Sequence, residues 1–202
     1  MTIDVRKRFR ELYAAPTDRF VEMEVPERTY LAIDGSGDPN TAPGYARAVE
    51  ALYTSAYAVR AALKKRSGDA FAVGPLEGLW SSEDPADFVT GTKAKWDWTM
   101  LVPLPAEVSG TDAEIGLDTA TAKKPDLPAA RLLTLTEGPC LQILHVGSYD
   151  DEAPTLARLH AEVMPERRLT WNGPHHEIYL SDPRRTPPED LKTILRQPVR
   201  AS

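Results

Sequence analysis

The chain of 202 residues has a net charge of −6, with 42% hydrophobic and 27% charged residues. That is the balance of a globular protein long enough to bury a core without staples. The acidity argues against nucleic acid as the main partner, because phosphate binding needs a basic surface. No apolar run reaches the length of a membrane span or opens the chain as a signal peptide would. A single cysteine, Cys140, excludes an intrachain disulfide and fits a reducing cytoplasm.

In chain order, Arg6, Lys7, Arg8 and Arg10 stand beside Phe9, Leu12 and Tyr13, which reads as an N-terminal helix with a solvated basic face. Alternating apolar residues from Phe20 to Ile33 predict strand, broken at Pro26-Glu27 into a bent strand or a hairpin. Gly35-Ser-Gly-Asp-Pro39 is a turn. Tyr45, Val49, Leu52, Tyr53, Ala56, Val59 and Leu63 then recur at helical spacing up to the stop at Gly68. Two extended segments follow, Phe71 to Trp80 and Lys93 to Leu104. The stretch from Val108 to Leu127 shows little periodicity and is expected to be a connection with one strand around Ile115.

From Arg131 the pattern begins again. Strand, break at Gly138-Pro139, strand and turn at Gly147-Ser148 repeat the earlier order, and Asp150 follows as Asp38 does. A helix is expected from Pro154 with Leu156, Leu159 and Val163 on one face, then an extended segment from His175 to Leu180. Pro188-Glu-Asp190 opening on Leu191, Ile194 and Leu195 predicts a last short helix. A repeat of this length indicates duplication. The expectation is therefore one α+β domain over 1–202, with repeat 1 at about 20–105, a connection at about 106–130 and repeat 2 at about 131–199. Each repeat is a strand-helix-strand-strand unit. Related by a pseudo-two-fold axis, the two units should form a mainly antiparallel sheet with the helices on one face and a cleft at the axis. Aligning the strand-ending prolines sets Asp97 opposite Glu177.

Glu177 stands out among the polar residues. On a strand, His175, Glu177 and Tyr179 share one face and Ile178 and Leu180 the other. A carboxylate on the floor of a cleft is desolvated, which suits it to accept a proton or to pair with a cation. The alternative is a solvated strand face. Trp96 and Trp98, two apart on their strand, fit either core or ligand platform. Trp80, Trp171, Tyr45, Tyr53, Tyr57 and Tyr149 are further aromatic candidates, and Tyr149 sits at the turn before the second helix. A carboxylate within an aromatic cage suits flat and cationic ligands. His175 and Glu177 lack a third metal ligand nearby, His145 being available only through the fold, so neither a metal nor another cofactor is expected. Ser148 lacks the context of a nucleophile elbow. Gly35-Ser-Gly-Asp-Pro matches no phosphate-binding loop. Cys140 in its apolar run reads as a buried, inert thiol, and Arg184-Arg185 as a surface turn.

Several segments in order resemble the GyrI-like small-molecule-binding family. They are Tyr30-Leu-Ala-Ile-Asp-Gly-Ser-Gly-Asp-Pro-Asn40, Trp96-Asp-Trp-Thr-Met100, His145-Val-Gly-Ser-Tyr-Asp-Asp-Glu152, Glu177-Ile-Tyr-Leu-Ser-Asp-Pro-Arg184 and Leu191-Lys-Thr-Ile-Leu-Arg-Gln-Pro198. The resemblance runs from about Leu12 to Val199. It implies kinship with the effector-binding domains of multidrug-sensing transcription regulators, in which a glutamate on the last long strand lies in the central cleft, the position that Glu177 matches. There is no room before Phe20 for a helix-turn-helix, so the chain looks like the stand-alone type. Some stand-alone members are similar to hydrolases that open cyclopropane rings of DNA-alkylating natural products, with a cleft glutamate acting beside an aromatic or tyrosine partner. Tyr149 is the candidate partner here and Tyr179 the reserve.

Two functions follow as expectations. One is a module that binds hydrophobic, planar or cationic organic molecules through Glu177, Tyr179, Trp96, Trp98, Tyr45 and Tyr149. The other is a detoxifying hydrolase with Glu177 and Tyr149 as the working pair. A fold kept only for protein interaction is a third reading. The expected partner is a small organic molecule, with no nucleic acid and no membrane, and the oligomeric state stays open between monomer and dimer.

Overall fold

The computed structural model describes residues 2–83 and 93–202. A short strand, β1 (Thr2–Asp4), leads into α1 (Val5–Arg8) and a 3-10 turn (Arg10–Tyr13). The first repeat contains β2 (Val21–Val25), β3 (Arg28–Ser36), α2 (Pro43–Ser67), β4 (Ala70–Ala72), β5 (Leu76–Ser81) and β6 (Asp97–Leu104). After α3 (Gly110–Lys123) come β7 (Arg131–Leu135) and β8 (Gly138–Val146). A 3-10 turn (Tyr149–Glu152) leads to α4 (Ala153–Arg158), which runs on through a π turn (Leu159–Val163) into α5 (Met164–Glu166). The chain finishes with β9 (Leu169–Trp171), β10 (His175–Tyr179) and β11 (Lys192–Ala201).

The large sheet has the order β2-β8-β11-β10-β5-β6-β3-β7, with β9 pairing to the far end of β11. All its pairings are antiparallel; β1 and β4 form a separate parallel pair. Reading the order from both ends exposes the duplication. β2 answers to β7, β8 to β3, β11 to β6 and β10 to β5, so the pseudo-two-fold axis passes between β5 and β10. The break at Pro26-Glu27 is neither a hairpin nor a simple bend. β2 pairs with β8 of the other half, and β7 pairs with β3. Each half thus lends its first strand to the other.

The registers correct the expected correspondence between Asp97 and Glu177. They carry Leu76 onto Glu177 and Gly78 onto Tyr179, because β5, not β6, is the counterpart of β10. The prolines misled because Pro103 lies within β6 whereas Pro183 follows β10, and those two strands are not counterparts.

Helix α2 buries Ala48, Leu52, Ala56, Val59 and Leu63 against Leu31, Ile33, Met100 and Val102 of the sheet. Pro43 opens it, and Gly68 at φ +79° closes it with a left-handed cap. The second helical stretch packs Leu159 and Met164 on Leu141, Ile143 and Leu195. Both cover the same face of the sheet, as expected.

Two elements differ from expectation. Residues 110–123 form helix α3 rather than a strand around Ile115, whose side chain is exposed. A capping box between Ser109 and Asp112 starts it. Its contact surface is built of small residues, Ala113, Gly116 and Ala120, so large apolar periodicity was missing. A Cβ at Gly116 would meet the Val59 backbone at 2.6 Å, and that close approach replaces side-chain interdigitation. The stretch after Pro188 is a single 3-10 turn (Pro188–Asp190), and Ile194 and Leu195 belong to strand β11. Their neighbours Thr193, Arg196 and Gln197 are buried as well, so both faces of β11 are covered and the alternation that marks a strand is hidden.

Candidate functional site: an acidic aromatic cleft at the pseudo-two-fold axis

The central strand pair sets the floor of the cleft. Opposite residues on β10 and β5 share a face, so His175 stands beside Trp80, Glu177 beside Gly78 and Tyr179 beside Leu76. Above them, between α2 and the α4 region, lies a cavity of about 1680 Å³ lined by Glu177, Tyr179, Trp80, Trp96, Tyr45 and Glu152 among others. That is ample for a drug-sized molecule.

A hydrogen-bonded chain crosses the floor. The Trp80 indole N–H donates to the Tyr179 hydroxyl at 3.1 Å, and that hydroxyl donates to Glu177 Oε2 at 2.7 Å. Gly78 makes the chain possible. A Cβ there would stand 2.9 Å from Trp80 Nε1 and 3.2 Å from the Tyr179 oxygen. Glu177 Oε1 has His175 Nε2 at 3.8 Å, beyond hydrogen-bond reach. Burial pushes Glu177 up to about 7, even though the Tyr179 bond and the His176 and Lys93 charges pull the other way. His175 is held neutral, its burial lowering it to about 3.

Glu152, at the end of the turn Tyr149–Glu152, adds a second acid to the same cleft. Only 4% of it is exposed, and its Oε1 has no hydrogen-bond partner. Burial, and then the charge of Glu177, raise it to about 10. Its importance was missed in the sequence because its burial depends on how the turn folds over the sheet. Lys93 reaches the rim, donating to Asp150 at 2.9 Å and standing 5.8 Å from the Trp96 ring centroid.

The aromatic residues divide. Trp80 stacks on Tyr45 with ring centroids 6.4 Å apart and meets Trp96 edge-on at 5.6 Å. Tyr149 is 37% exposed at the mouth, its ring 5.6 Å from Tyr179 in a T-shape. Burial, then the charges of Glu152 and Glu177, push its hydroxyl up to about 12. Tyr53 and Tyr57 line the cavity farther along α2. Trp98 does not line it. It is 4% exposed and lies on Gly35, where a Cβ would run into the ring. Strand β6 begins at Asp97, so Trp96 precedes it and the shared strand face expected for the two tryptophans is lost. Trp171 lies tilted against His160 with ring centroids 4.2 Å apart, away from the cleft lining.

The remaining sequence candidates have structural surroundings. His145 Nε2 lies 3.1 Å from the Ser148 carbonyl oxygen, and Ser148 Oγ donates to Asp151 at 2.7 Å, which braces the turn below Tyr149. Among the described residues, no group of three or more His, Cys, Asp or Glu is placed to hold a metal ion. Cys140 is buried and its thiol pushed up to about 12, chiefly by desolvation. Arg184 is tied to Asp182 on the exposed loop. No described helix is long and apolar enough to cross a membrane.

A fold duplicated about a ligand-sized cleft defines a class of small-molecule-binding proteins, and the comparisons agree. The chain belongs to the GyrI-like small molecule binding domain family, whose model matches residues 20–200. It is similar along its whole length to solved proteins from Listeria innocua. An uncharacterized conserved protein shares 37% identity at a TM-score of 0.87, covering 98% of this chain and 100% of that one. A protein named as a hydrolase shares 36% identity at a TM-score of 0.81, with the same coverage of both chains. A second one named as a hydrolase shares 35% at 0.85, covering 99% of this chain and all of that one. The EcmrR C-terminal domain has the same fold at 10% identity, with a TM-score of 0.58 over 91% of this chain and 98% of that domain. No curated protein matches the chain.

Proposed function

We propose that this chain binds bulky hydrophobic, planar organic molecules in the cleft and hydrolyses a strained electrophile held there. The observation that carries the reading is the state of Glu177. One oxygen is fixed by the Tyr179 hydroxyl at 2.7 Å, and the carboxyl faces a cavity walled by Trp80, Trp96 and Tyr45. A desolvated carboxylate poised near neutrality is suited to take a proton from water. The hydroxide equivalent attacks a carbon of the strained ring, and the ring bond breaks toward an electron-accepting group. In this reading Tyr149, at the mouth, donates a hydrogen bond to an oxygen that gains charge. The similarity to two hydrolases at 35–36% identity over nearly the whole chain supports the same reading. The substrate class we assign is a cyclopropane-bearing, DNA-alkylating compound, whose hydrolysis would be a detoxification. The buried thiol of Cys140 suits action in a reducing cytoplasm.

The test uses a compound in which a cyclopropane is spiro-fused to a cyclohexadienone, with the water adduct followed by mass spectrometry. Wild type should form it catalytically, and Glu177→Gln should lose roughly 10²–10⁴-fold in kcat, the usual contribution of one positioned acid–base group. Unchanged turnover in Glu177→Gln would sink the mechanism.

A second reading, multidrug-like binding without chemistry, is favoured by the aromatic walls around two acids, an arrangement that suits planar cations. A rhodamine dye titrated by fluorescence distinguishes it. Affinity should rise with pH through about 7 as Glu177 ionises, and fall in Glu177→Gln. Equal affinity for both proteins at all pH values rejects charge pairing.

A further inference from the structure

We infer that Glu152 is the acid partner of Glu177, a carboxylic acid that hands its proton to the atom receiving the electron pair as the substrate bond breaks. The inference rests on the hydrolytic reading above and extends it to a residue outside the expected pair.

Three observations carry it. First, Glu152 lines the same cavity as Glu177, yet its Oε1 is sealed from solvent with no hydrogen-bond partner. A buried carboxylate without a bonded cation is costly, so the group keeps its proton. Lys93 is at hand, but its Nζ is bonded to Asp150 at 2.9 Å. The other groups facing this corner are Tyr149, Thr193 and Glu177, and none is cationic.

Second, the two acids are unequally supported. Glu177 accepts the Tyr179 hydroxyl, and the buried His176 stands behind it on the opposite face of β10. Glu152 has only the Thr193 hydroxyl at hand, whose downward pull is outweighed by burial and by the charge of Glu177. Two carboxyls in one desolvated cleft cannot both ionise readily. Glu177, whose charge the Tyr179 hydroxyl supports, becomes the base and the other stays an acid.

Third, the turn does not require an acid at this place. By the register that matches Gly35 to Gly147, the first-half counterpart of Glu152 is Asn40, which is exposed. The first half makes its turn with a neutral side chain.

The step balances without any other reagent. Water gives one proton to Glu177, and its oxygen bonds to the ring carbon. The ring carbon–carbon bond breaks, and its electron pair moves through the conjugated system to the carbonyl oxygen, which takes the proton of Glu152. The product is the water adduct. Glu177 is left protonated and Glu152 ionised, and a proton passing from one to the other resets the pair.

Glu152→Gln tests this, since Gln keeps the shape and neutrality of the protonated acid. On the spiro-cyclopropyl dienone, its kcat should fall at least tenfold with KM nearly unchanged. The high-pH limb of the wild-type rate profile, where Glu152 loses its proton, should vanish. A wild-type kcat and an intact high-pH limb in Glu152→Gln overturn the proposal, while Glu177→Gln separately decides the base. Independently of turnover, the infrared difference spectrum of wild type minus Glu152→Gln at pH 7 should contain the carbonyl stretch of a protonated carboxyl. Its replacement by carboxylate bands overturns the proposal even if no compound is hydrolysed.

Discussion

Strand β10 puts two neighbouring residues into opposite electrostatic worlds. On the cleft face, Glu177 and Glu152 are buried without a bonded cation and are pushed up. On the other face, His176 lies between Glu137 and Glu77, with Nδ1 and Nε2 2.9 and 3.0 Å from their oxygens. Both ring nitrogens face carboxylates, so both carry protons and the ring is a cation. Arg196 adds bonds to Glu137 and to the Leu12 carbonyl, and Tyr13 donates to Glu77. Burial alone would raise Glu137 and lower His176, but here the pairing wins. Glu137 is held down at about 2 and His176 up at about 9. Equal burial therefore gives opposite acids, and bonded counter-charge decides which. The paired face clamps the N-terminal segment to the sheet, whereas the unpaired face is left ready for a ligand.

The sharpest way to break this contrast is to unpair the back face. Glu137→Gln leaves Arg196 and His176 short of a counter-charge in a sealed site, and should cost about 3–5 kcal/mol of stability. Urea unfolding measures it; a loss below about 1 kcal/mol would mean the network is wet or already neutral. Next in size is Gly78→Ala. Its Cβ would crowd Trp80 Nε1 and the Tyr179 hydroxyl, an overpacking worth about 1–3 kcal/mol. It should also pull the Tyr179–Glu177 bond apart, so hydrolysis or dye binding should fall more than stability does.

The pH dependence of stability distinguishes the faces by sign. Glu137 is depressed, so its contribution is complete above about 4.5 and is lost as pH falls through about 2. His176 is raised, so its contribution is complete below about 6.5 and is lost as pH rises through about 9. Glu177 is raised too, and its share of stability declines as pH climbs from about 4.5 through about 7. Glu152 is raised further, so its share declines from about 4.5 through about 10. Thermal melts should therefore show a decline between about 4.5 and 7 that is shallower in Glu177→Gln than in wild type. The smallest effect is expected for Tyr149→Phe. The exposed phenol at the mouth is no part of the core, so the melting temperature should hold, and only turnover should drop.

Much of this was legible in the sequence. Gly35-Ser36 and Gly147-Ser148 gave away the duplication, and the spacing of His175, Glu177 and Tyr179 put an acid and a phenol on one face. Pattern reading failed where burial came from neighbours rather than from the strand itself. Trp98 looks like Trp96 along the chain, but Gly35 opposite it gives its ring a seat in the core. Helix α3 was hidden because Gly116 and Ala120 pack through backbone proximity. The inward turn of Glu152 is illegible in the sequence, since nothing in Tyr-Asp-Asp-Glu shows which acid faces the cleft. His176 carries no signal in the sequence, because its partners Glu137 and Glu77 lie 39 and 99 residues away.

The most direct test of the central claim is a carboxyl titration of Glu177 itself, read by carbon NMR on protein labelled in its glutamates and assigned with Glu177→Gln. One glutamate resonance should have a midpoint near 7 and be absent from the variant. A Glu177 midpoint at the ordinary glutamate value, about 4.3, would contradict it.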